Sequence, residues 1–288
     1  MQEHLVRVVT EDGLFRASAA DTTQLVKEIC RRQQVDLTAK VALGRLLTGA
    51  ALMSSLLKGR QRLALVVEGN GPLGRLMVET DAKGGIRGKV QNPLAGLPPR
   101  NGRFDVAGAV GRAGFLHVIK DLGLKEPYRS MVQLQTSEIG DDLAWYLTHS
   151  EQVPSCVALG VELDAQGEIA AAGGFMVQAL PPGDQLSIDR LVDHLHGFPP
   201  TTSLLRQGVE PTAILHKVLD GQSFSVLQRS ELVFNCPCSR ETIADVLAGL
   251  GAVELDAMIQ EQGGGEVICD YCREVYRYNR TQLEELRG

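Results

Sequence analysis

Four cysteines near the C-terminus constrain this chain more than any other feature. Cys236 and Cys238 stand in the run FNCPCSRE, and Cys269 and Cys272 in ICDYCRE. Two tight pairs thirty residues apart suit a tetrahedral zinc site, because each short pair supplies two thiolates from one turn of chain. No histidine lies between them, so an all-sulfur set, Cys236, Cys238, Cys269 and Cys272, is the simplest ligand reading. Four thiolates fill a tetrahedron and leave no position for water, which argues for a structural rather than a hydrolytic ion.

The first pair is unusual in having only Pro237 between its sulfurs. Residues two apart in extended chain lie roughly 6.6–7.2 Å apart, whereas a disulfide favours Cα separations of about 5.5–6 Å. A Cys236–Cys238 bridge therefore needs a bent backbone, and strained, exposed bridges are the labile ones. Cys269 and Cys272 have the spacing that closes easily. The same sulfurs can hold zinc when reduced or form two local bridges when oxidised, and spacing alone leaves an inert zinc knuckle equally open.

The chain in front of this module is long enough, within 288 residues, for one large domain. Residues 4–19 alternate about Glu11-Asp12-Gly13 as a hairpin, and Asp21 with Gln24 reads as a capping box for a first helix. A longer helix from Thr38 places Leu43, Leu46, Leu47, Ala50 and Leu57 on one face. Strand runs follow at 63–68, 75–80 and 86–90, then an irregular Gly- and Pro-rich stretch at 92–112. Further strands are expected at 115–119 and 129–136, a helix from Ser137 to His149 carrying the only tryptophan, Trp145, and strands at 156–163 and 168–179. This order predicts an α+β class, a largely antiparallel sheet domain with packed helices.

Pro181-Pro182-Gly183 ends that pattern. Three short helices are expected after it, with stripes Ile188, Leu191, Val192, Leu195, then Leu204, Leu205, then Ile214, Leu215, Val218, Leu219. Residues 224–234 read as a strand. In the cysteine module Ser239 caps a helix bearing Ile243, Val246, Leu247 and Leu250. The expected division is a core domain over 1–180, a helical linker over 181–232 and a small four-cysteine zinc domain over 233–288.

Charge and composition exclude several classes. Net charge is −6, and from Val233 onward five arginines, no lysine and ten acidic residues give −5. Nucleic-acid binding needs basic clusters, so no nucleic-acid partner is expected. The apolar stretch 41–57 contains Arg45 and reads as a buried helix, so no membrane span is expected either. MQEHLVRVVTEDG has no apolar h-region, and six cysteines, four at metal spacing, point to a reducing, cytoplasmic compartment. The glycines at 69, 71 and 74 lie between strands and form no phosphate loop. Cys30 and Cys156 read as inert thiols, and His194 and His196, two apart on a helix, as surface or capping residues. No catalytic residues are assigned.

The C-x-C…C-x-x-C constellation near the C-terminus, with NCPCSRE, CDYC and the upstream GPLGRLMVETDAKGGIRGKVQNP, resembles the redox-regulated 33 kDa heat-shock protein family of bacteria, over essentially the whole chain. The resemblance implies an ATP-independent holdase that binds unfolding proteins under oxidative stress and is no enzyme. It further implies a reduced, zinc-bound, inactive form. Oxidation would pair Cys236 with Cys238 and Cys269 with Cys272, release zinc, loosen the linker and favour a homodimer, with hand-over of clients to ATP-dependent chaperones. Two other classes compete: a thiol–disulfide oxidoreductase using Cys269 and Cys272, and a zinc-ribbon adaptor. The first would want its C-x-x-C before a helix, and the second a basic surface.

Overall fold

A computed structural model describes residues 4–99 and 102–287 and divides into two compact units, Met1–Phe234 and Asn235–Gly288. The first opens with the expected hairpin, β1 (His4–Thr10) and β2 (Phe15–Asp21), turned at Gly13 with φ of +73°. Next come α1 (Thr23–Gln33) and α2 (Leu37–Ser54). Asp21 ends the strand and accepts the Thr23 N–H at 3.0 Å; Thr22 takes the cap position without a side-chain bond, so the expected capping box is replaced by an Asx turn. The cap of α2 is Asp36, which accepts the Ala39 N–H at 2.9 Å.

The hairpin strands β3 (Arg62–Gly69), β4 (Arg75–Asp81) and β5 (Gly85–Val90) follow. The Gly- and Pro-rich stretch 92–112 is irregular except for a short helix, α3 (Val106–Val110), capped by Asp105; residues 100 and 101 within it lie outside the described residues. β6 (Gly114–Asp121), β7 (Tyr128–Gln133), α4 (Gly140–His149), β8 (Ser155–Leu163) and β9 (Ile169–Ala179) complete the expected pattern. Then come α5 (Gln185–His196), α6 (Thr201–Arg206), α7 (Pro211–Val218), β10 (Phe224–Glu231) and β11 (Val233–Phe234).

These strands make two sheets, β10-β1-β2-β9-β8 and β11-β5-β4-β3-β6-β7, antiparallel throughout except where Val233 and Phe234 pair parallel with β5. The α+β class expected from the sequence is the fold observed. Helix α2 packs against strands of both sheets and is buried on nearly every side rather than along one stripe; Leu57 falls beyond its end. Gly44 and Gly49 permit that approach. A Cβ at Gly44 would lie 2.7 Å from Val161 and one at Gly49 2.4 Å from Leu143. No helix among the described residues is long and apolar enough to cross a membrane.

The first sheet has two apolar faces, set by strand alternation. Leu5, Ala20, Ala172 and Met176 face α1 and α2 in the main core. Val6, Val8, Phe15, Ala17, Ala19, Phe175 and Val177 face the other way, and α5–α7 cover them with Leu191, Leu204, Ile214, Leu215, Val218 and Leu219. The segment following Pro182 is thus the second layer on the core sheet, and β10 pairs with β1 along its edge. α7 is the firmest part of the cover, with four residues fully buried there or just beyond it. α5 is the loosest: Leu191 alone is buried, Ile188 and Leu195 are half-buried, and Val192, expected on the buried stripe, is 43% exposed. A cavity of about 190 Å³ lies between α5 and the sheet, bounded by Phe15, Cys156 and Val177.

The second unit contains α8 (Arg240–Ala248), α9 (Ala252–Gln262), the hairpin β12 (Gly264–Ile268) and β13 (Val275–Asn279), and α10 (Arg280–Leu286). Its core is small: Leu247, Leu255, Ile259, Tyr278 and Leu283 are buried together.

Candidate metal centre

The cysteines come together from two directions. Cys236 and Cys238 lie in extended chain just before α8, whose N-cap Ser239 accepts the Thr242 N–H at 3.2 Å. Cys269 and Cys272 sit in the turn of the β12–β13 hairpin. The Cys269 N–H donates to the Glu274 carbonyl and the Arg273 N–H to the Cys269 carbonyl, both at 2.9 Å. Arg273 takes a left-handed φ of +63° to close that turn. Arg240 links the two halves: its guanidinium stacks 4.5 Å from the Tyr278 ring centre and donates to the Arg277 carbonyl at 2.8 Å.

All four sulfurs lie within 4.8 Å of one another. Cys238 Sγ is 3.2 Å from Cys272 and 3.4 Å from Cys236, and Cys236 Sγ is 3.7 Å from Cys269. Four sulfurs about 2.3 Å from one tetrahedral ion would lie about 3.8 Å apart. The donor set and spacing therefore fit one soft-ligand metal ion, with every ligand position filled.

Electrostatics point the same way. Burial pushes the thiols of Cys272 and Cys238 up from their ordinary range, so the crowded sulfurs resist ionisation unless a cation shares the site. The Tyr276 hydroxyl donates to Cys238 Sγ at 3.2 Å, and that bond pushes the phenol up. Sequence reasoning did not single out Tyr276; an aromatic-rich tail was visible, but not which ring reaches a sulfur. The remaining thiols are apart from this centre. Burial pushes Cys30, 2% exposed, up to about 12, and raises Cys156 as well. His194 is a tie between helices, its Nε2 2.7 Å from the Lys217 carbonyl.

An α+β unit followed by a separate four-sulfur module defines a protein with a closed, thiolate-held metal centre rather than a hydrolytic metalloenzyme. The family model described as Hsp33 protein matches residues 3–279. The 33 kDa chaperonin of Syntrophotalea carbinolica is 54% identical over 286 residues, 99% of each chain, and that of Geobacter sulfurreducens is 51% identical over 99% of this chain and 95% of its own. The crystal structure of the 33 kDa chaperonin (heat shock protein 33 homolog) of Thermotoga maritima superposes with a TM-score of 0.92 at 35% identity, covering 100% of this chain and 98% of that one. The chain belongs to the Hsp33 family. It is a chaperone, which acts by binding unfolded proteins and is not an enzyme.

Replacing Cys269 or Cys272 by Ser is expected to abolish tight metal binding, because three thiolates cannot close the site. Cys30→Ser and Cys156→Ser should bind metal like the parent chain, with at most a packing cost. Competition with a chromophoric chelator measures both; a Cys30 variant that folds yet loses metal would reassign the sulfurs.

Proposed function

We propose that this chain is a redox-regulated, ATP-independent holdase of the bacterial cytoplasm, inactive when reduced and zinc-bound. The observation that carries the proposal is the meeting of four thiols within 4.8 Å in a module with only a small core of its own. Cys236, Cys238, Cys269 and Cys272 would hold one Zn²⁺ as thiolates; when bound it supplies cross-linking energy and keeps the sulfurs ionised.

Oxidation joins Cys236 to Cys238 and Cys269 to Cys272. Each bridge removes two electrons, so two molecules of peroxide accept four electrons and leave as water. No thiolate is then left to hold a cation, and residues 235–288 lose their staple. The next anchor back along the chain is β11, only two residues long. Behind it lie helices of 12, 6 and 8 residues, below or at the length at which an isolated helix becomes stable, about 12–15 residues. Their release would bare the sheet face around Phe15, Phe175 and Val177 together with their own stripes. That apolar surface would capture clients and favour a homodimer, with later hand-over to ATP-dependent chaperones.

The competing oxidoreductase reading is separated by stoichiometry. Suppression of aggregation should saturate near a fixed ratio of chain to client, with no catalytic turnover of dithiol or disulfide substrates. Many turnovers per chain would reject the holdase reading.

A further inference from the structure

The core sheet ends at β8, and that edge is unlike the others. Its sequence, SCVALGVEL, is nine residues long, apolar, without proline or lysine, and carries one charge, Glu162. Sheet edges are usually blunted by charges, bulges or shortness. β10 carries Arg229 and Glu231 and is bulged against β1, β7 carries Arg129, and β11 has two residues.

The backbone of β8 can be accounted for residue by residue. The Ala179 N–H donates to the Pro154 carbonyl, and the register pairs Cys156, Ala158 and Gly160 with Val177, Phe175 and Gly173. Those even-numbered residues therefore bond inward to β9, and the odd-numbered ones point outward. Ser155 fits this parity, its outward N–H donating to Thr148 Oγ1 at 3.2 Å. The outward N–H and C=O groups of Val157, Leu159 and Val161 have no hydrogen-bond partner among the described residues. They lie along a groove of about 390 Å³, walled on one side by Arg45, Glu138 and Gly140 and on the other by Phe198–Thr202.

We infer that the β8 edge takes an extended segment of an unfolded client as an added antiparallel or parallel strand. The inference rests on the holdase reading above and names the surface it uses. Main-chain pairing suits a binder of unfolded chains, since every polypeptide offers the same donors and acceptors whatever its sequence. The charges near the groove do not impose one: Arg45 is paired with Glu138 and Arg206 with Glu162. A second copy of the chain is disfavoured because the edge is recessed. Two β8 edges could meet only if both pairs of walls interpenetrated, whereas a single strand fits between them.

The test uses the full-length oxidised chain and reduced, carboxymethylated α-lactalbumin, which stays unfolded, with binding followed by anisotropy of the labelled probe. At saturation, hydrogen exchange at the amides of Val157, Leu159 and Val161 should slow by about tenfold or more, while Ala158 and Gly160, already in the ladder, stay unchanged. Val161→Pro removes an outward donor that no ladder bond uses and should weaken probe binding by about tenfold; the wild-type exchange measurement stands even if this variant misfolds. Bound probe with unchanged exchange at the three amides overturns the inference and leaves the holdase reading intact. Slowing that follows the chain's own concentration without probe makes a second copy the occupant and overturns it too. No binding of the probe at all overturns the holdase reading, and this surface with it.

Discussion

Removing the metal from the reduced chain should unfold residues 235–288 and leave the first unit folded. A module of about 55 residues rarely supports itself without a staple, and here five buried side chains make up the whole core. Structural zinc contributes an apparent ~10–16 kcal/mol in comparable peptides at neutral pH, more than those side chains supply at about 1.5–3 kcal/mol each against the entropy of ordering the segment. The first unit has no share in this, since its two cysteines are remote from the centre and its core is built around α2. Hydrogen exchange after complete chelation should show protection lost across α8, α9 and the β12–β13 hairpin and kept in α2 and β9. Protection retained in 235–288 would show that the module folds without its ion.

Leu191→Asp should give a chaperone that is active while reduced and metal-loaded. Leu191 is the single buried side chain of α5, 7% exposed in the layer over Phe15 and Val177. Its burial contributes about 1.5–3 kcal/mol, and a carboxylate in its place would be driven to solvent. With little else holding it, α5 should leave the sheet and uncover the apolar face without any oxidation. Light proteolysis should cut residues 183–200 in the variant and spare them in the parent, and aggregation of a heat-denatured client should be suppressed. A variant that is cut there yet stays inactive would separate release of α5 from client capture.

Much of this architecture was legible because local patterns carried it. The hairpin strands alternate, β8 and β9 are divided at Asp164–Gly167, and the four cysteines are spaced as two ligand pairs. What could not be read was non-local. The strand at 224–231 is visible as a strand, but its partner β1 lies more than two hundred residues away in sequence, so its place in the core sheet was hidden. The second layer formed by α5–α7 shows only as stripes without an addressee. Helix α9 begins at Gly251 with no capping side chain and ends beside three glycines, so it lacked a start signal. Helix α10 had one: Asn279 and Gln282 form a capping box in which Asn279 accepts the Gln282 N–H at 2.9 Å. Cys30 and Cys156 were separable from the centre by the absence of a partner at ligand spacing, and their burial agrees.

The central claim is that losing the four-thiolate site and gaining chaperone activity are one event. Peroxide is added in steps to the reduced, zinc-loaded chain, and released metal, free thiol and suppression of client aggregation are read from the same samples. The three curves should coincide, with four thiols lost for each ion released and activity rising in proportion. Full activity with the metal still bound, or complete release with two bridges formed and no activity, would contradict the account.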